Sequence, residues 1–230
     1  MRVASVVLAA GSSQRFGGRP KQFETVGDSS LLQLAVRAFV DVDRVDELWV
    51  VTSDQHDEAI RSHLGGEKVT GFVLGGDSRA TSTIRAVDAL EASVTHVLVH
   101  DAARPLLPRS TIERCLDALE VADVVATVVP SADPVVVLDE AGEGVDSMPD
   151  PDRVRLHQTP QGFRRSLLSD TWDRLVGMPQ SNDDVTAVLR AFPDETVAWV
   201  KGDRRTMKVM YPDDLTVVRA LAAEWGTDLD

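Results

Sequence analysis

The chain has 230 residues, 43% of them hydrophobic and 27% charged, with a formal net charge of −13. That length carries one sizeable α/β core or two small domains, and the acidic balance excludes broad contact with nucleic acid or an anionic membrane while leaving room for a few cations focused in one cleft. No apolar run approaches a bilayer span, no leader pattern opens the chain, and the single cysteine, Cys115, excludes an internal disulfide, so a cytoplasmic protein is expected.

In chain order, strand-like runs occupy residues 2–8, 46–52, 69–74, 95–100 and 123–129. Helical spacing fills the gaps in LLQLAVRAFV, DQHDEAIRSHL, STIRAVDALEA and STIERCLDALE. The runs of Val and Leu do not alternate with polar residues, which predicts strands buried on both faces. Strands separated by helices in this way give a mostly parallel sheet with right-handed crossovers. Ser53 or Asp54 is the expected start of the second helix, and Ser110 with Glu113 has the offset of a capping box. Cys115 falls at helical spacing with Ile112, Leu116 and Leu119, which assigns it to packing.

The pattern changes after Pro130. Residues 131–155 hold one β run (VVVLD), a Gly-rich turn at 141–144 and several prolines, and are expected to form a hairpin-like arm packed against something else, such as a second subunit. Two helices follow, at 163–175 and 183–192, with Asn182, Asp183 and Asp184 as N-cap candidates for the second. Strands are expected at 196–200 and 206–210, then a closing helix at 213–225. One domain, 1–230, with an arm is the reading.

In an open parallel sheet ligands bind beyond the carboxyl ends of the strands. After the first strand comes LAAGSSQRFGGRPKQF, which is neither a Walker A loop nor a dinucleotide fingerprint. Gly11 permits close backbone approach, free N–H groups there can form an anion nest, and Arg15 and Lys21 add full charges. A triphosphate suits that loop; the alternative is a surface loop with two solvated cations. After the third strand, GGDSRATSTIRAV puts Arg79 and Ser82 one turn apart at a helix start, either around a ligand or in a plain Gly-rich turn with its cap. After the fourth, VLVHDAARPLL places Asp101 at a strand end, suited to Mg²⁺, with Arg104 across the crevice and His100 more in keeping with a structural part. Lys208, flanked by Met207, Val209 and Met210, is available for a phosphate of a second substrate. No His/Cys cluster suggests zinc and no Ser-His-Asp set stands out. These parts suit transfer of a nucleotidyl group to a phosphate nucleophile, which needs orientation and charge cancellation more than deprotonation.

LAAGSSQRFGGRPKQF, GGDSRATSTIRAV, VLVHDAARP, QTPQGF and the late MKV-x-x-PDDL, in this order, resemble the 2-C-methyl-D-erythritol 4-phosphate cytidylyltransferase family, to which ribitol-5-phosphate cytidylyltransferases are related. The resemblance implies a Rossmann-like sheet with helices on both faces, a β-arm that makes a homodimer, and CTP with Mg²⁺ as substrate and cofactor. It places Ala9, Ala10 and Gly11 at the CTP backbone contacts, Arg15 and Lys21 at the triphosphate, and Gly76, Asp77 and Ser82 around cytosine and ribose. Asp101 takes the metal, and Arg104, Thr159 and Lys208 the polyol phosphate, with Lys208 counted beside Arg15 and Lys21 in catalysis. The chain departs from the family at Pro134, where a threonine is usual, and at Pro151, where an arm arginine is usual; Arg153, or else Arg155, is the substitute. Asn182–Asp183–Asp184 and Arg205–Thr206 also depart from the usual residues. The expected reaction is transfer of CMP to 2-C-methyl-D-erythritol 4-phosphate; the alternatives are another polyol phosphate, such as ribitol 5-phosphate, and a non-catalytic interaction protein on the same fold.

Overall fold

Val3–Leu8 forms β1, and its side chains divide between two cores: Val3 and Val7 enter one, Ala4 and Val6 the other. A strand of this kind needs cover on both faces. The computed structural model, which describes residues 1–178, 181 and 183–226, shows that cover. The further strands are β2 (Thr25–Val26), β3 (Ser29–Ser30), β4 (Glu47–Thr52), β5 (Gly71–Leu74), β6 (His96–Asp101), β7 (Val124–Pro130), β8 (Val137–Leu138), β9 (Val145–Ser147), β10 (Arg155–Arg164) and β11 (Val197–Lys201). The helices are α1 (Leu31–Val40), α2 (Asp57–His63), α3 (Arg79–Ala89), α4 (Arg109–Ala118), α5 (Arg165–Arg174), α6 (Asp184–Ala191) and α7 (Pro212–Trp225).

Among the described residues the main sheet has seven strands in the order β11-β7-β10-β6-β1-β4-β5. Every pairing in it is parallel except those of β10, which runs antiparallel to both β6 and β7. On one face Leu32, Val36 and Phe39 of α1 and Ile112 and Leu116 of α4 cover Val7 and Leu98. On the other, Val87 of α3, Leu168 and Trp172 of α5 and Val188 of α6 cover Val6 and Val99. A third cluster joins Phe16, Leu31, Leu34, Leu106, Val209, Leu215 and Val218. It fastens the loop after β1 to the segment carrying Lys208, beneath α7. Among the described residues no helix is long and apolar enough to cross a membrane.

The structure departs from the sequence expectations at several points. The segment QTPQGF, to which the sequence assigned no element before the helix expected from Phe163, is part of β10, a strand in the middle of the sheet. Residues 206–210 are an extended loop and not a strand: Val209 N–H donates to Ala103 O at 2.8 Å and Met210 N–H to the Asp214 carboxylate at 2.7 Å, so no ladder forms. Helix α4 begins after Pro108 without a side-chain cap, and Ser110 lies inside it; Glu113 faces Arg109 and Arg44 instead. Helix α2 starts after His56, because residues 53–56 close a turn of their own. Asp183 caps α6, accepting from Thr186 N–H at 2.9 Å, while Asn182 lies outside the described residues. Cys115 packs as expected: it is buried, its Sγ is 3.2 Å from Thr127 Oγ1, and burial pushes the thiol up to about 11.

The arm holds a short antiparallel pair, β8 with β9, rather than one β run. Val136, Val137, Leu138, Val145 and Met148 on it are all exposed.

Candidate active site

From β1 the chain crosses to β4 and β5 on one side, then returns to β6 on the other. That reversal opens a crevice at the carboxyl ends of β1 and β6, where α/β sheets bind ligands. A cleft of about 790 Å³ lies there, bordered by the loop after β1, the turn before α3, Asp101, Lys208 and Met210. Arg15, Lys21, Arg79 and Lys208 line it against two carboxylates, Asp77 and Asp101, so it is cationic in a chain whose net charge is −13.

The loop after β1 folds tightly because Ser13, at φ 54°, and Gly17 and Gly18, at φ 80° and 76°, all adopt left-handed conformations. Phe16 anchors it in the third core cluster. The amides of Gly11, Ser12 and Ser13 meet no acceptor among the described residues, which leaves them for an anion. A Cβ on Gly11 would have no protein atom within 4 Å; the open space there belongs to the cleft. Gly76 is different, since a Cβ there would strike the Thr81 side chain. Its N–H donates to Ser82 Oγ at 3.1 Å, and Ser78 caps α3 by accepting from Thr81 N–H at 3.0 Å. Those bonds set the turn that presents Asp77.

Asp101 is the electrostatic centre. Lys208 Nζ stands 2.8 Å from its Oδ2, Arg104 Nε 3.6 Å from the same oxygen, and Arg79 Nε 3.7 Å from Oδ1. Burial alone would raise its pKa, but the charges of Lys208, Arg79 and Arg104 hold the carboxyl well below the usual range. Arg79 also pairs with buried Asp184 at the start of α6. Lys21 Nζ donates to Val209 O at 2.7 Å, and burial, followed by the nearby Lys208 charge, lowers it to about 8. Arg104 is held by the carbonyls of Thr206 (2.9 Å) and His157 (3.4 Å). Thr159, buried on β10, accepts from Asp101 N–H at 3.2 Å.

The cleft therefore gathers Ala9, Ala10, Gly11, Arg15, Lys21, Gly76, Asp77, Ser82, Asp101 and Lys208, all named from the sequence. Arg104 and Thr159 sit behind Asp101. Arg153 stands apart, exposed on the arm, and Arg155 beside it donates to the carbonyls of Asp152 and Val154. Sequence reasoning missed the clamp that Arg79 makes between Asp101 and Asp184. The only signal for it was a basic residue one turn before Ser82, because both of its partners are distant in sequence.

A family model described as 2-C-methyl-D-erythritol 4-phosphate cytidylyltransferase matches residues 3–224. The 2-C-methyl-D-erythritol 4-phosphate cytidylyltransferase of Thermobifida fusca is 37% identical to this chain, over 96% of this chain and 93% of that protein. A bifunctional ribulose 5-phosphate reductase/CDP-ribitol pyrophosphorylase of Haemophilus influenzae is 31% identical over 94% of this chain and 47% of its own length. Among solved structures, a 4-diphosphocytidyl-2C-methyl-D-erythritol synthase from Anaerococcus prevotii superposes with a TM-score of 0.87 at 26% identity, covering 96% of each chain.

Proposed function

The chain belongs to the 2-C-methyl-D-erythritol 4-phosphate cytidylyltransferase family, and from that premise we propose that it transfers CMP from CTP to 2-C-methyl-D-erythritol 4-phosphate, a step of isoprenoid precursor synthesis. The observation that carries this reading is one cleft that holds free loop amides with Arg15 and Lys21, and close beside Lys21 the pair Asp101 and Lys208. A triphosphate and a second phosphate are both served within one crevice.

The chemistry follows from the placement. A phosphate oxygen of the acceptor attacks the α-phosphorus of CTP, the bond from that phosphorus to the α–β bridging oxygen breaks, and pyrophosphate leaves with the electron pair. The acceptor is already ionised, so the site orients it and cancels charge instead of removing a proton. The amides of Gly11 to Ser13 receive phosphate oxygens. Arg15 and Lys21 offset the negative charge that grows on the α-phosphoryl group, and the turn of Gly76, Asp77 and Ser82 takes the nucleoside. Arg104 and Lys208 take the acceptor phosphate beside Thr159.

Mg²⁺ fits the residues present. It needs hard oxygen ligands and is commonly held by one or two carboxylates together with substrate phosphates. Asp101 is a fixed carboxylate at the cleft floor, and among the described residues no cluster of three or more His, Cys, Asp or Glu offers a closed metal cage. The ion would supply charge neutralisation on the phosphates.

A homodimer is part of the same reading. The apolar side chains exposed on the arm favour a second copy as their cover, and Arg153 would then reach the neighbouring cleft from that copy's arm. Pro134 favours a second reading of the acceptor: it has neither hydroxyl nor N–H to offer a phosphate, which loosens selection for methylerythritol phosphate and admits ribitol 5-phosphate. Pyrophosphate release with CTP and Mg²⁺, measured for both acceptors in parallel, decides. Faster turnover of the methylerythritol phosphate upholds the first reading, faster turnover of ribitol 5-phosphate the second. A protein that neither turns over nor binds CTP with Mg²⁺ is an interaction protein on this fold.

A further inference from the structure

We infer that His100 is a positioning residue whose two ring nitrogens set the metal-side Asp101 and the phosphate-side Arg104 from one point. The role rests on the cytidylyl-transfer reading above. His100 is the last residue but one of β6, fully buried, its ring meeting Phe39 edge-on at 5.5 Å between centroids. Its Nε2 lies 3.1 Å from the Arg104 carbonyl oxygen and its Nδ1 2.8 Å from Thr159 Oγ1.

The chemistry of the partners assigns every proton. A carbonyl only accepts, so Nε2 carries the N–H. In a neutral ring Nδ1 is then an acceptor, and the Thr159 hydroxyl donates to it. That leaves a lone pair of Thr159 Oγ1 to accept the Asp101 N–H at 3.2 Å. The chain of bonds runs in one direction: Asp101 N–H to Thr159, Thr159 O–H to His100, His100 N–H to Arg104 C=O. It ties the end of β6 to β10 and to the turn that carries Arg104. The single hydroxyl proton of Thr159 is thereby engaged, and an ionised phosphate offers no donor in return. Thr159 thus acts through Asp101, and Arg104 and Lys208 meet the acceptor directly.

Two substitutions split the two arms of this chain. His100→Asn puts an amide near the Nδ1 position, keeps the Thr159 partner and loses the Arg104 carbonyl. His100→Gln reaches the Nε2 position, keeps the carbonyl and leaves Thr159 without its acceptor. Losing one such bond corresponds to about fivefold. For His100→Asn, KM for the phosphorylated polyol is expected to rise by about that factor while the Mg²⁺ midpoint for CTP binding, followed by calorimetry, stays at its wild-type value. For His100→Gln the Mg²⁺ midpoint rises and the acceptor KM holds. Thr159→Val should repeat the His100→Gln result and Thr159→Ser restore the wild-type one, which keeps the test alive if neither histidine variant folds. Nitrogen-15 NMR of the wild-type imidazole should show the neutral Nε2–H tautomer at pH 7. The Nδ1–H tautomer, or variants whose two constants move together or not at all, would overturn the role. Wild-type protein that neither binds CTP nor turns over would instead defeat the transfer reading, with the tautomer still deciding the bond chain.

Discussion

Lys208 Nζ and Asp101 Oδ2 meet at 2.8 Å in the crevice, although they lie far apart in the sequence. Val209, held in the third core cluster, brings the lysine there. With Lys208 removed, Asp101 keeps Arg79 and Arg104, so the carboxylate stays ionised, but on the proposed reading the acceptor phosphate loses one of its cations. Lys208→Ala should therefore raise the acceptor KM about tenfold, the scale of one charge-assisted contact, with little change in CTP affinity. Steady-state kinetics with both substrates varied checks it. A larger loss in CTP affinity than in acceptor KM would place Lys208 on the nucleotide instead.

Asp101→Asn preserves shape and removes the charge. The Mg²⁺ concentration needed for half-maximal CTP binding should rise about tenfold or more, since a neutral amide is a poor ligand for a hard cation. Three cations would also be left around a neutral group, so metal-free CTP should bind more tightly than to wild type. Calorimetry with and without Mg²⁺ reads both effects, and an unchanged Mg²⁺ titration would remove Asp101 from the metal.

The two glycine turns separate ligand space from packing space. Gly11→Ala puts a methyl where no protein atom lies within 4 Å, so thermal stability should hold while CTP binding weakens roughly tenfold through one lost amide–phosphate contact. Gly76→Ala drives a methyl into Thr81 and should cost about 1–3 kcal/mol of stability, as overpacking does. Thermal melts and CTP titrations of both variants suffice. Equal behaviour of the two would discount the distinction.

How much of this was legible in the sequence depends on the range of the interactions. Strands β1, β4, β6 and β7 are rich in Val, Leu and Ala without alternating polar positions, and their two-sided burial can be read from that pattern. Strand β10 is as central as they are, yet its buried residues include Gln158, Thr159, Pro160 and Gln161, whose types signal a turn. Its neighbours on both sides, not its own propensity, make it a strand. The stretch 206–210 errs in the other direction: Met207 and Val209 look like part of a strand because they pack into the third core cluster beneath α7 rather than in a sheet, while Met210 lines the cleft. At the site, Asp101, Lys21 and Arg15 were visible because each follows a strand or a Gly-rich loop. The bond from His100 to Thr159 joins β6 to a strand that only the fold brings alongside.

The arm gives a prediction on assembly. Val137, Leu138 and Val145 stand exposed on a hairpin of only five strand residues, two in β8 and three in β9, too small to be stable by itself. Full-length protein should sediment as a dimer at micromolar concentration. Val137→Asp combined with Leu138→Asp should shift it to monomer without unfolding the main sheet, whose core lies elsewhere. A monomeric wild type would dismiss the arm as a dimer contact.

Lys21 links burial to pH. Its ammonium, lowered from 10.5 to about 8 by burial and by Lys208, is charged at neutral pH and is lost as pH rises through about 8 in the free protein. Because the folded value lies below the unfolded one, the buried charge costs stability below pH 8, and the cost is relieved as pH climbs toward 10.5. On the proposed reading activity runs the other way: the protonated form would offset charge on the α-phosphoryl group, so kcat/KM for CTP should fall on the alkaline side with an apparent pKa near 8. Bound triphosphate stabilises the ammonium, and the corresponding fall in kcat should appear at higher pH. Lys21→Ala should lower kcat by about 10²-fold, the scale of one transition-state donor, and should abolish this limb of the profile. Lys21→Arg keeps the charge at all working pH values, so its kcat/KM, whatever its height, should show no fall near pH 8. A wild-type profile that stays flat to pH 10, or a Lys21→Ala variant with wild-type kcat, would take Lys21 out of the reaction.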